Sequence, residues 1–146
     1  MSKFEMPDWL TEHLRLYEES PEKGHLFDTT AFGGKPDTPT LLLTTIGRKS
    51  GKPITLPLTY GFDGNKYVVA GTKGGSPEHP SWYLNLVAHP DVDVQVAARK
   101  FRAKARTANG KEREHLWLLM IEVLPVISEL AKLTSREIPV VVLESA

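Results

Sequence analysis

Cysteine is missing from all 146 residues. That excludes disulfides and thiolate-bound metal, and it fits a reducing compartment. Long apolar runs are missing as well. Runs such as residues 41–43 and 140–143 are strand-sized, and none approaches the roughly 20 residues of a membrane-spanning helix. Residues 1–5 mix both charges and carry no apolar signal-peptide core. The expectation is a cytoplasmic protein without stable membrane insertion. There is no excess of either charge, with 18 Lys and Arg against 18 Asp and Glu. The basic residues do not cluster with aromatics as a nucleic-acid face requires, so nucleic acid is excluded as a partner. None of the five histidines has metal-ligand spacing, and no metal site is expected. A Ser-His-Asp pattern, a P-loop and a dinucleotide fingerprint are likewise absent.

The composition that remains, 40% hydrophobic and 25% charged, is that of an ordinary globular chain. Its length suits one domain spanning residues 1–146. Charge is unevenly placed. Residues 1–30 carry seven acids and three bases, whereas residues 44–106 carry ten bases and four acids. A basic middle points to an anionic ligand. Lys66, Lys100, Arg102 and Lys104 read instead as a solvated sheet face.

Asp8 is the expected N-cap of a first helix. Trp9, Leu10, His13, Leu14 and Tyr17 follow at helical spacing through Glu19. Residues 20–40, rich in Gly, Pro and Thr, read as a loop. Strands are expected at 41–46, 54–62, 66–72, 91–97, 101–107 and 138–143. Pro57 inside the second implies an edge or a bulge. Helices are expected at 81–88 and 110–124, the latter interrupted by Pro125 and resuming toward Leu133. Six mostly antiparallel strands and three helices give an α+β domain built on a small β-barrel. Residues 1–30 are its N-terminal helix and lead-in.

Three stretches carry chemistry. In Thr44-Thr45-Ile46-Gly47-Arg48-Lys49-Ser50-Gly51, two glycines bracket two cations at a strand end. Turn N–H groups there can form an anion nest, and Arg48 can grip a phosphate with two parallel hydrogen bonds, beside the point charge of Lys49. An ordinary hairpin with solvated cations fits the same residues. Thr72-Lys73-Gly74-Gly75-Ser76-Pro77 leaves a strand toward a short helix. It suits a phosphate or a ring edge, or else a plain connector. In His79-Pro80-Ser81-Trp82-Tyr83-Leu84-Asn85-Leu86, Trp82 and Tyr83 can flank a planar ring and Asn85 can donate to it. A core tryptophan is the competing reading.

Taken together, residues 41–85 resemble the deazaflavin-dependent nitroreductase family, oxidoreductases that use coenzyme F420. The likeness continues through Pro90, Val92, Val94, Arg102, Ala103, Arg106 and Trp117 to the tail Thr134-Ser135-Arg136-Glu137-Ile138-Pro139-Val140, so that residues 41–145 are the family-like core. The resemblance implies a split β-barrel. It implies that Arg48 and Lys49 meet the cofactor's phosphate and acidic tail. Lys73, Gly74 and Gly75 would line the cofactor, with Pro57 and Ala70 under it, and Trp82, Tyr83 and Asn85 would complete the pocket. Thr72 stands where the family often has Ser beside the reactive ring carbon, and is the expected catalytic residue. A homodimer is compatible with the resemblance.

Two positions depart from the family pattern. Ile54 replaces a frequent Arg. Leu124, Ile127 and Leu130 stand where family nitroreductases often place tyrosines, so among quinone, enone and nitro acceptors an apolar substrate pocket suited to a quinone, an enone or a lipid-like alkene is expected, with plain core packing the competing reading. The expected reaction is hydride transfer from the reduced deazaflavin to that small-molecule acceptor. FMN or FAD on the same fold is the alternative cofactor, and a non-catalytic cofactor-binding protein the alternative class. The acidic first helix reads as a lid or an oligomer contact.

Overall fold

The computed structural model describes residues 8–30 and 35–146, with side chains in the first helix from residue 10 onward. The expected cap at Asp8, the Trp9 side chain and the extreme N-terminus lie outside the described side chains. The element order is α1 (Asp8–Glu19), α2 (Pro21–His25), β1 (Leu26–Phe27), β2 (Thr38–Ile46), β3 (Pro53–Thr59), β4 (Gly61–Asp63), β5 (Lys66–Ala70), α3 (Ser81–Ala88), β6 (Asp91–Val96), β7 (Arg99–Thr107), α4 (Gly110–Val123), α5 (Ile127–Ala131) and β8 (Val140–Ser145).

All eight strands join one sheet in the order β1-β2-β6-β7-β8-β5-β4, with β3 paired to β2. Every pairing is antiparallel. β3 and β4 lie toward opposite ends of this array, yet only Tyr60 separates them in the chain. The sheet must therefore curl until its two ends nearly meet, which is the geometry of a barrel left open along one seam.

The apolar tail shows how the core is organised. β8 lies between β5 and β7, and Val140, Val141, Val142 and Leu143 are all fully buried. Val141 and Leu143 pack with Leu41, Leu43, Val69 and Val94 inside the barrel. Val140 and Val142 face the other way and pack with Leu116 and Met120 of α4. A strand covered on both faces reads as a continuous apolar run, because neither side of the pleat is left to water.

Three expectations are corrected here. Among the described residues there are eight strands and five α-helices rather than six and three. Residues 20–40 are not merely loop, since they hold α2, β1 and the start of β2; elements of five and two residues are too short for a periodic signal. The expected strand 54–62 is two strands broken at Tyr60, where the chain crosses the seam. Pro57 does lie on a strand paired on one side only, opposite Leu42 of β2. There its missing N–H costs no ladder bond.

Helix α1 is not a loose cover. Tyr17 is fully buried. Its hydroxyl lies 3.0 Å from Thr40 O and 3.2 Å from Gln95 O, and it accepts from the Ala97 N–H at 2.8 Å. That last bond holds a tight turn between β6 and β7, where Ala97 sits at φ 53°.

Candidate active site

The β2–β3 turn is closed by Gly47 N–H to Lys52 O and Gly51 N–H to Gly47 O, both at 2.8 Å, with Gly51 at φ 71°. Arg48, Lys49 and Lys52 are exposed, and none of them meets a carboxylate among the described residues. Asn85, buried at 3% exposure, anchors this turn from α3. Its Oδ1 accepts from the Arg48 backbone N–H at 3.1 Å and from Arg48 Nη1 at 2.8 Å, and its Nδ2 donates to Thr45 Oγ1 at 3.4 Å. Both ends of the amide are engaged, so Asn85 positions Arg48 rather than serving a ring directly. Arg48 Nε and Nη2 keep no partner among the described residues, which leaves donors for an anion.

The second glycine-bearing loop, residues 71–80, is held by a residue the sequence reading did not single out. Arg136 donates from Nε to Ser76 O at 2.9 Å, from Nη1 to Gly71 O at 3.1 Å and from Nη2 to Thr72 O at 2.9 Å. Nη1 also lies 3.1 Å from His79 Nδ1. A guanidinium has no acceptor, so His79 Nδ1 must be the lone-pair nitrogen here. The Thr-Ser-Arg stretch of the tail carried the only sequence signal for this clamp.

Within the loop, Lys73, Gly74 and Gly75 sit at φ 45°, 61° and 82°. Gly74 is open around its Cα. Gly75 is buried, and an added Cβ would come within 2.9 Å of Leu130 O and Leu133, so its bareness serves contact with α5. Lys73 Nζ lies 3.6 Å from Glu78. Trp82, at 7% exposure, packs in the barrel core, the competing reading of that residue. Tyr83 is half-buried, its hydroxyl 2.9 Å from Thr107 Oγ1.

Six of the singled-out residues meet on one cavity. Pro57, Ala70, Thr72, Leu124, Ile127 and Leu130 line a space of about 220 Å³, joined by His13, Phe27, Thr59 and Val126. His13 was not foreseen as a lining residue. Burial pushes its pKa below the usual imidazole value, partly offset by its bond to the Gly24 carbonyl. The hydroxyl of Thr72 has no hydrogen-bond partner among the described residues.

The cation-bearing turn and the cavity sit at opposite ends of β3, because Pro53 pairs with Ile46 beside the turn and Thr59 with Thr40 beside the cavity. Pro53 and Pro57 are separated by roughly 13 Å at 3.3 Å per residue. The cavity is smaller than the roughly 300 Å³ at which whole-ligand pockets begin. The arrangement sets a ring-sized apolar space one strand length from a turn with free cationic donors.

A curled antiparallel sheet open along one seam, with a cationic hairpin and an apolar ring-sized cavity, defines a split-barrel protein. Residues 19–145 match the model of the F420H(2)-dependent quinone reductase family. An F420H(2)-dependent quinone reductase of Mycobacterium tuberculosis strain H37Rv is 40% identical over 108 residues, 72% of each chain. A solved F420-H2 dependent reductase, FDR-A, is 42% identical, with TM-score 0.67 over 72% of this chain and 93% of its own. Another solved structure, described as a domain-swapped dimer, is 38% identical, with TM-score 0.71 over 94% of this chain and 98% of its own. The chain belongs to the F420H(2)-dependent quinone reductase family. It is an F420-dependent reductase of quinone-like substrates, and coenzyme F420, rather than FMN or FAD, is its cofactor. No helix among the described residues is long and apolar enough to cross a membrane.

Proposed function

We propose that the protein passes a hydride from reduced F420 to an apolar acceptor that meets the cofactor ring at the open side of this cavity, with quinones and enones favoured over nitro compounds. The observation that carries this is the lining itself. Leu124, Val126, Ile127 and Leu130 form its late-helix side, and no tyrosine stands among the described lining residues to donate to a nitro group.

When bound, the cofactor supplies the hydride; the chain supplies position and electrostatics. Arg48 and Lys49 neutralise the tail, with Asn85 holding Arg48 in place. Arg136 sets the loop that carries Thr72, Lys73 and Gly74. Thr72 is the polar group beside the reacting atoms, and its free hydroxyl can donate to an acceptor carbonyl oxygen as negative charge develops there. The aliphatic lining excludes water, which strengthens that hydrogen bond. Pro57 and Ala70 give the ring a floor that cannot compete for hydrogen bonds. Trp82 and Tyr83 support this arrangement from α3, outside the cavity. The domain-swapped neighbour supports a homodimer, which light scattering would register as twice 16.3 kDa.

The test is a fluorescence titration with oxidised F420 and then with FMN and FAD, followed by turnover of quinones against nitroimidazoles. Micromolar binding of F420 and faster quinone reduction are expected. A clear preference for nitroimidazoles would refute the apolar-acceptor reading.

A further inference from the structure

The family match begins at residue 19, at the last residue of α1. A wall of the cavity nevertheless comes from before that point. His13 of α1 lines the cavity together with Phe27 of β1. Their rings are stacked, with centroids 3.7 Å apart and planes 17° from parallel. They are the only aromatic rings among the described lining residues. The stack is rigidly held. His13 is 3% exposed, and its Nε2 lies 2.9 Å from Gly24 O, an atom that can only accept, so Nε2 carries the proton. Tyr17, one helical turn on, ties α1 to β2 and to the turn after β6.

We propose that the His13–Phe27 stack is the acceptor-specificity wall of this enzyme, selecting planar fused-ring quinones over small, puckered acceptors. The inference rests on the reading that the acceptor meets the cofactor in this cavity. The argument is one of shape and chemistry. The late-helix side of the cavity is branched aliphatic and indifferent to ring shape. The floor is proline, alanine and threonine. Only the His13–Phe27 side of the described lining carries aromatic rings, and with His13 buried beneath the stack it is Phe27, the more exposed ring, that a flat acceptor meets; that contact gains dispersion and quadrupole complementarity that a puckered ring cannot match. A threefold to tenfold preference, roughly the size of an aromatic pair contribution, is expected from this wall.

Residues of the stack could instead matter only as a pin between α1 and α2, through the His13–Gly24 bond. Two substitutions separate the roles. His13→Phe keeps a flat ring and loses the bond; His13→Gln keeps a donor for Gly24 and loses the ring. Phe27→Leu removes the other ring at similar volume and serves if the α1 variants fold poorly. The readout is the ratio of KM for a naphthoquinone to KM for cyclohexenone, with reduced F420 as donor and F420 affinity measured in parallel. The proposal expects the ratio to rise threefold or more in His13→Gln and Phe27→Leu and to stay near wild type in His13→Phe. The reverse order, or one ratio throughout, overturns it while leaving the cavity reading intact. If wild-type protein binds F420 but reduces neither acceptor, the cavity reading itself fails.

Discussion

At the scale of single residues, the site stores backbone strain. Lys73 at φ 45° occupies a region that costs a non-glycine residue of order 1–3 kcal/mol. Lys73→Gly is therefore expected to raise the thermal midpoint, by about 1 kcal/mol of stability, while weakening F420 binding through the lost cation. A calorimetric scan paired with a fluorescence titration reads both. Arg136→Lys keeps the charge but cannot span Gly71, Thr72 and Ser76 at once. A loss of about 2 kcal/mol in stability is expected, with a fall in kcat as Thr72 loses its fixed place. What the sequence revealed at this scale follows chemistry: Arg48, Pro57, Thr72 and the late-helix leucines are recognisable as residue types in a pattern. What it hid follows distance. Asn85 meets Arg48 across 37 positions and Arg136 meets Thr72 across 64, and no local spacing encodes such pairs.

At the scale of elements, α1 and α2 form a clasp over the barrel's cavity end. Gly24 is its closest point, since an added Cβ would stand 2.5 Å from the Tyr17 Cα. Gly24→Ala is expected to pry the two helices apart and cost 2 kcal/mol or more by overpacking, at about the upper part of the usual range, read as a lowered denaturation midpoint. The same clasp responds to pH from both sides. His13 is held below its ordinary value of 6.5, so the unfolded chain takes up that proton first. Stability is full above pH 6.5 and falls as pH drops below it. Burial pushes Tyr17 up to about 12; its contribution is intact below 10, the ordinary value, and is lost as pH rises from there through 12. Denaturation midpoints against pH should show both limbs, and His13→Phe should remove His13's share of the acid one. Longer elements such as α3 and α4 were legible to within a residue or two, because their apolar residues repeat enough to set a phase. The two-residue β1 had no such chance.

At the scale of the whole molecule, charge placement governs the cofactor. The chain is neutral overall, so with the cofactor tail at the β2–β3 turn, as proposed above, its attraction is local to that turn. Raising ionic strength from 0.05 to 0.5 M, a shortening of the Debye length by about threefold, should weaken F420 binding severalfold without lowering the midpoint of the apoprotein. Hydrogen exchange should grade the sheet as well. Amides of β8, paired on both sides, should exchange slowest, and those of β1, β3 and β4, each paired on one side, faster.

The seam at Tyr60 gives that last difference a further meaning. Pro57, Leu58 and Thr59 reach the cavity from one lip of the open barrel, while Ala70 reaches it from the strand next to the other lip and Thr72 from the loop that follows that strand. A ring lodged between them acts as a keystone: it joins two staves that the protein's own hydrogen bonds leave apart. Cofactor occupancy is then also the barrel's missing hoop, and saturating F420, at about 100 times its dissociation constant, should tighten the whole sheet by about 2.7 kcal/mol.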